Sequence, residues 1–163
     1  MKKLEKIYRD IQPKIYAFFY VKTSSQAIAE DLTHDVFYEA LKSIHTFKGE
    51  STLQTWVFSI ANHMLKKYYR SNKYKRNLTK ILADEDQEHP KTPEDQFFIN
   101  EETRNLIRQI QALDDLRKEI VTLRIYGELS FKEIGQLVQK SENYVRVNFH
   151  RTKIQLKREM EGM

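Results

Sequence analysis

The sequence contains no cysteine, so it offers no disulfide framework, no cysteine-ligated zinc site and no thiol nucleophile. Only four glycines and three prolines occur among 163 residues, which favours helices over turn-rich sheets. The longest unbroken apolar run, residues 15–21, is far shorter than the ~20 residues that cross a bilayer. The N-terminus also lacks a signal-peptide pattern. These absences predict a cytoplasmic chain without membrane insertion.

Apolar residues make up 40% of the chain and charged residues 31%, which is enough apolar content for real cores. The net charge of +5 is unevenly distributed. Residues 1–80 hold 15 Lys and Arg against 7 Asp and Glu, residues 81–112 hold 3 against 8, and residues 113–163 hold 10 against 8. The chain is therefore basic, then acidic, then basic.

Apolar residues recur at helical spacing in several segments, and strand-like alternation is absent throughout. Pro13 interrupts the first segment, so two short helices or one bent helix are predicted there. Ser24 and Ser25 are placed to cap the second helix, and Ser51 with Gln54 has the spacing of a capping box for the third.

Farther along, the helical pattern gives way to Asp, Glu and Pro, the composition of a linker. Ser130 with Glu133 then predicts a second capping box and a short helix, and Ser141 caps a long last helix after a turn of about three residues. These proportions are typical of a helix-turn-helix. The predicted fold class is all-α. Two small helical domains, residues 1–76 and 97–163, are joined by an acidic linker, residues 77–96.

Two stretches have the residue types that bind nucleic acid. The segment from Lys66 to Lys80 contains seven basic residues, three tyrosines and no acid. Cations neutralise phosphates, and aromatic rings stack on unpaired bases. The segment from Arg146 to Arg158 contains five basic residues and no acid. On the second helix of a helix-turn-helix, such side chains reach base edges and phosphates.

Motifs in both predicted domains match one protein family, in the right order. In the first domain they are AEDLTHDVF at residues 29–37, FKGES at 47–51 and TWVFSIAN at 55–62. In the second they are Leu123-Arg124, Leu129-Ser130 and Glu133-Ile134-Gly135, followed by Ser141, Val145, His150-Arg151 and Leu156. On these motifs the chain resembles a bacterial extracytoplasmic-function (ECF) sigma factor. That family lends promoter recognition and DNA melting to RNA polymerase.

The resemblance implies three interfaces and no catalytic, metal or cofactor site. It implies binding to the β′ clamp helices of core RNA polymerase through Glu30, Asp31, His34, Asp35 and Phe37. It implies binding to the minus ten element, including the melted nontemplate strand, through Phe47, Gly49, Ser51, Trp56, Asn62, Lys66, Lys67 and Arg70. It implies binding to the duplex minus thirty-five element, beside the β flap, through Ser141, Glu142, Asn143, Tyr144, Arg146, Asn148, His150, Arg151 and Lys153. An anti-sigma factor is a further partner class that the family brings with it.

The chain departs from the family pattern at a few positions. Gln139 stands where a glycine is usual in the turn before the recognition helix, and Gly135 stands where an alanine is usual. A left-handed residue other than glycine costs roughly 1 kcal/mol, so the sequence leaves room for a different turn geometry. His34 stands where a glutamine is usual.

Plainer interpretations fit the same motifs. The acidic residues of the second helix are compatible with a solvated helix face, and so is the basic run. Trp56 is compatible with a core position. The last two helices are compatible with an ordinary helical hairpin. A di-iron site in a helical bundle needs a carboxylate and histidine pair on each of two helices. The sequence offers one loose analogue, Asp31 with His34, so a metal site is disfavoured. The alternative function is a stand-alone regulator, whose helix-turn-helix binds an operator while the first domain senses or dimerises.

Overall fold

The computed structural model describes residues 2–82 and 100–162. Within these ranges every regular element is a helix, as the predicted all-α class requires. The α-helices are α1 (Lys2–Thr23), α2 (Gln26–Ser43), α3 (Leu53–Leu82), α4 (Glu101–Gln111), α5 (Asp115–Ile125), α6 (Phe131–Val138) and α7 (Glu142–Glu161), with a 3-10 turn at Ile44–Thr46. Helix α3 continues past residue 77, where the linker is predicted to begin. The rest of the predicted linker, from residue 83 onward, lies outside the described residues.

Helices α1, α2 and α3 pack together through apolar stripes on their facing sides. Phe18, Phe19, Val36 and Phe58 are fully buried at the centre. Pro13 lies inside α1, which is a single helix rather than two. A proline in this position removes one backbone hydrogen bond. Because Pro13 is exposed, water can satisfy the carbonyl left without a partner.

Helices α4 to α7 form the second group, in which α7 contacts α4, α5 and α6. Side-chain caps fix where these helices begin, because the first amides of a helix have no partner within it. Asn100 accepts from the Thr103 amide and starts α4, and Asp114 accepts from the Arg117 amide and starts α5. The same bond to Arg117, together with that side chain, lowers the pKa of the Asp114 carboxyl.

The two groups share one continuous hydrophobic core. Helix α1 contacts α4 and α5, and α3 contacts α6. Phe58 lies at this junction, since its ring packs edge-on against Phe18 with centroids 5.7 Å apart. A Cβ added at Gly127 would lie 3.1 Å from the Phe58 ring. The absence of a side chain at Gly127 therefore lets the second group approach α3 closely.

None of the helices in residues 2–82 and 100–162 is both long enough and apolar enough to cross a membrane.

Replacing Phe58 with alanine should lower the free energy of unfolding by about 3–5 kcal/mol, because a fully buried aromatic ring is replaced by a cavity. Tyr38→Ala is the matched control, since Tyr38 is 71% exposed and its loss should cost no more than about 0.5 kcal/mol. Urea unfolding followed by circular dichroism measures both. Equal losses for the two variants would show that the Phe58 ring does not stabilise the core.

Candidate protein and nucleic-acid interfaces

An acidic face runs along α2. The hydroxyl of Ser25 accepts from the Ile28 amide and caps this helix, as the sequence predicted. The side of α2 that carries Ala29, Leu32 and Val36 is buried. The opposite side is therefore left in solvent, and it carries the four charged or titratable residues expected to contact polymerase: Glu30, Asp31, His34 and Asp35.

Phe37, which the resemblance assigned to this surface, does not lie on it. The side chain is 8% exposed, and its ring packs edge-on against Tyr8 with centroids 4.7 Å apart. Tyr38 and Leu41 are instead the apolar side chains exposed on α2, at 71% and 60%. Periodicity placed Phe37 on the buried stripe but gave no sign that Tyr38 would be left outside.

The segment before α3 brings Phe47 and Trp56 together. Gly49 adopts φ = 75°, a left-handed conformation that suits glycine, and is exposed. The rings of Phe47 and Trp56 lie 5.4 Å apart, and both side chains are half-buried. Trp56 packs against the core and still has an exposed part, so its position is compatible with both interpretations.

The start of α3 differs from the predicted capping box. Thr52, rather than Ser51, accepts from the Thr55 amide. Ser51 donates instead to the Thr52 carbonyl, and Gln54 donates to the carbonyl of Gly127 in the second group of helices. Ser51 and Thr52 are adjacent hydroxyl residues that both fit the capping pattern, so sequence spacing cannot select between them.

A basic face follows on α3. Lys66, Lys67 and Arg70 are all exposed, while Asn62 one turn earlier is half-buried. An open groove of about 400 Å³ lies alongside, between α2 and α3. Its lining combines charged, polar and apolar side chains: Glu39, Ser59, Ile60, His63, Met64 and Lys67. The predicted basic run continues past Arg70, but its side chains from Lys73 onward are outside the described part.

Tyr69 lies next to Arg70 on α3 and connects this helix to α1. Its hydroxyl donates to the carbonyl of Lys22, 3.1 Å away. Burial, together with the neighbouring Tyr68 and Glu119, raises the pKa of the Tyr69 phenol. The hydroxyl therefore remains a donor at neutral pH, and it anchors α3 to the end of α1.

The helix-turn-helix comprises α6 and α7. Ser130 and Glu133 form the predicted capping box, since each side chain accepts from the other's amide at 3.1 Å. Gln139 takes the left-handed conformation, with φ = 60° and ψ = 46°. The different turn geometry that the sequence allowed is therefore not used. Ser141 caps α7 by accepting from the Tyr144 amide.

The recognition helix α7 exposes most of its predicted contacts. Buried Val145 and Phe149 fix which side faces the core. Arg146 pairs with Glu142 at 3.1 Å. Asn148 is half-buried, and its side-chain amide donates to the Tyr144 carbonyl. The exposed members of the predicted set are Ser141, Glu142, Asn143, Tyr144, Arg146, His150, Arg151 and Lys153.

Comparison with known proteins resolves the family. A sigma-70 region 2 model matches residues 7–74, and a sigma-70 region 4 model matches residues 103–156. The chain belongs to the sigma-70 family. The expected resemblance is confirmed.

Similar curated proteins are sigma factors, several of the ECF type. RNA polymerase sigma factor YlaC of Bacillus subtilis is 29% identical over 159 residues, covering 96% of this chain and 91% of YlaC. ECF sigma factor SigX of the same species is 27% identical over 161 residues, covering 95% and 82%. ECF sigma factor BldN of Streptomyces coelicolor is 25% identical over 142 residues, covering 86% of this chain but 54% of BldN.

A solved structure supports the fold. Sigma factor RpoE of Bartonella quintana, crystallised with the anti-sigma factor NepR, superposes with a TM-score of 0.75 at 17% identity. The match covers 100% of this chain and 99% of the other. The roles of individual residues in the three candidate interfaces stay predictions.

Gly135→Ala should destabilise the second group of helices by about 1–3 kcal/mol, the usual range for overpacking. The added Cβ would lie 2.6 Å from the Lys140 carbonyl oxygen, and that backbone belongs to the helix-turn-helix turn. Gly162→Ala is the control, because a Cβ there would come no closer than 3.4 Å to the atoms around it. Thermal unfolding should separate the two, and an unchanged midpoint for Gly135→Ala would show that the turn can shift.

Proposed function

We propose that this protein is an ECF-type sigma factor that binds core RNA polymerase through α2, melts the minus ten element with α3 and its preceding loop, and reads the minus thirty-five element with α7. The observation that carries the proposal is the adjacency of two unlike surfaces in the first group of helices. An acidic face on α2 lies next to an aromatic and basic surface on α3. A regulator whose first domain only senses or dimerises has no use for this pair.

The face of α2 suits a basic protein surface. Glu30, Asp31 and Asp35 project carboxylates from successive turns, and Tyr38 and Leu41 provide exposed apolar contact beside them. Apolar contacts in the middle and charges at the edge are the usual anatomy of a protein interface. Complementary charge at the edge speeds association and selects the partner. We assign this face to the β′ clamp helices.

The surface near Trp56 suits an unpaired strand. The exposed loop at Gly49 lies next to the Phe47 and Trp56 rings, and Asn62 is two turns farther along α3. A flipped base needs a small-residue loop to enter and rings against which to stack. Lys66, Lys67 and Arg70 then neutralise phosphates of the same strand. Neither this surface nor the others requires a catalytic residue, so the protein contributes recognition while the polymerase carries out synthesis.

The exposed face of α7 suits the major groove of duplex DNA. Arg146 lies in its first half, where a recognition helix contacts base edges. Arg151 and Lys153 follow on the exposed side and are suited to phosphates. This assignment places the protein in the cytoplasm with the chromosome, and an anti-sigma factor is a further proposed partner.

Run-off transcription tests the proposed function. Core polymerase with the purified protein should produce discrete transcripts from genomic fragments that core polymerase alone does not transcribe. Asp31→Arg and Asp35→Arg should each weaken core binding by about tenfold or more, because an attractive charge becomes a repulsive one. Fluorescence titration against core polymerase measures the affinity.

Glu102→Arg is the control for these variants, since it places the same charge change on an exposed site of α4. Transcripts that do not depend on the protein would overturn the sigma assignment. Unchanged core affinity for both α2 variants, with transcription intact, would remove only the clamp assignment.

Polymerase loaded with this protein should bind single-stranded nontemplate minus ten DNA about tenfold more tightly than its complement, because base capture and stacking depend on sequence and are worth roughly 1–3 kcal/mol per base. Asn62→Ala or Phe47→Ala should remove most of this preference. Replacing Lys66 and Lys67 together should weaken the binding of both strands alike. It should also reduce the slope of log affinity against log salt concentration by about 0.7 per lost phosphate contact.

Fluorescence anisotropy with matched oligonucleotides measures these affinities, with core polymerase alone as the background. Equal binding of the two strands by the wild-type complex, at a promoter that it transcribes, would contradict the assignment of this surface.

A further inference from the structure

The recognition helix α7 exposes an apolar side chain among its polar ones. Val147 is 37% exposed and lies in the first half of the helix, which begins at Glu142. The resemblance assigned its neighbours Arg146 and Asn148 to promoter contact but did not assign Val147. Single apolar residues are common on protein surfaces, so the position of Val147 on the helix decides what it can contact.

Val147 points directly away from the core. Buried Val145 and Phe149 mark the side of α7 that packs inward, and each is two positions from Val147. Because successive residues of an α-helix are turned by about 100°, Val147 lies about 160° from both of them. Exposed Asn143 and Arg151 lie one turn before and one turn after it on the same outer face. Val147 is therefore the apolar centre of a polar face.

Contacts within the protein hold the side chains that flank Val147 on one side. Arg146 pairs with Glu142 at 3.1 Å, and its guanidinium carbon lies 5.7 Å from the centre of the Phe131 ring. The His150 ring packs edge-on against the same phenylalanine, with centroids 5.9 Å apart. Arg146 and His150 are therefore held towards α6, and Val147 stays exposed beside them.

We propose that Val147 contacts the 5-methyl group of a thymine in the minus thirty-five element and thereby selects an A·T pair at that position. The inference rests on the proposed function, in which the outer face of α7 enters the major groove. Thymine presents a methyl group there, and apolar side chains recognise it. Cytosine presents an amino donor at the corresponding edge, and a valine side chain has no acceptor for it.

The side chain of valine suits this contact. Its two methyl groups branch at Cβ and leave one strongly preferred rotamer in a helix. Little conformational entropy is therefore lost when the side chain meets the base. The contact also removes apolar surface of both partners from water, which is favourable for each methyl group buried.

The probes for this contact are duplexes that polymerase loaded with this protein selects from a random library. Each thymine of the selected minus thirty-five element is replaced in turn with deoxyuridine, which lacks only the 5-methyl group. At one thymine position the loss should weaken binding by about fourfold, the usual effect of one buried methyl group. Fluorescence anisotropy measures the affinities.

Substitutions at Val147 should change this preference in steps. Val147→Ser should bind the thymine and deoxyuridine duplexes alike, while Val147→Thr keeps one methyl group and should retain part of the preference. Ile154→Ser is the matched control, since Ile154 is 54% exposed on the same outer face, two turns farther along α7, and should keep the full preference. The slope of log affinity against log salt concentration should stay unchanged, because no phosphate contact is lost.

Four results would overturn the inference. They are a selected element in which no thymine shows a methyl preference, a full preference in Val147→Ser, an equal loss of preference in Ile154→Ser, and weaker binding of Val147→Ser to core polymerase without DNA. The last result would assign this face of α7 to a protein partner. Circular dichroism should show unchanged helix content in all variants, because the substituted side chains are exposed.

Failure of the proposed function looks different. In that case the loaded polymerase would select the same duplexes as core polymerase alone. The deoxyuridine comparison would then use duplexes selected by the free chain, and it would still decide whether Val147 contacts a methyl group. A chain that selects no duplex in either form would overturn both the function and the inference.

Discussion

The removal of apolar helix faces from water decides which surfaces this protein can offer to a partner. Each of α2, α3 and α7 has one side committed to the core, through residues such as Val36, Phe58 and Phe149. The remaining sides are set at fixed angles by the helical repeat. Core packing therefore sets the positions of the acidic face of α2, the basic face of α3 and the exposed face of α7. No further interaction is needed to hold them in place.

Sequence reasoning succeeded where one helix determines the outcome. The all-α class, the caps at Ser25 and Ser141 and the capping box at Ser130 and Glu133 depend on residues within a few positions of each other. Exposure of the charged residues on α2 and α7 follows from the same helical repeat. Local spacing is enough for these features because the interactions that produce them are local.

Sequence reasoning failed where distant segments of the chain meet, or where two local structures differ little in free energy. The resemblance assigned Phe37 to the polymerase surface, but its side chain is buried and packs against Tyr8 on another helix. Thr52 rather than Ser51 caps α3, and its hydroxyl also bonds Glu133, 81 positions farther along. Gln139 keeps the left-handed turn, so the contacts around that turn outweigh a cost of roughly 1 kcal/mol. The burial of Phe37 agrees with its helical spacing on α2, whereas the choice of Thr52 and the turn at Gln139 cannot be derived from residue spacing alone.

Glu133 serves two structures with one side chain, and this limits how the protein can vary. A change at this position would disturb the start of the helix-turn-helix and the contact with α3 together, so its effects are pleiotropic. Thr55 and Gln54 touch the second group of helices without belonging to its capping box. Natural variation that adjusts the contact between the two groups of helices while preserving the start of the helix-turn-helix is therefore expected to accumulate on the α3 side of the contact.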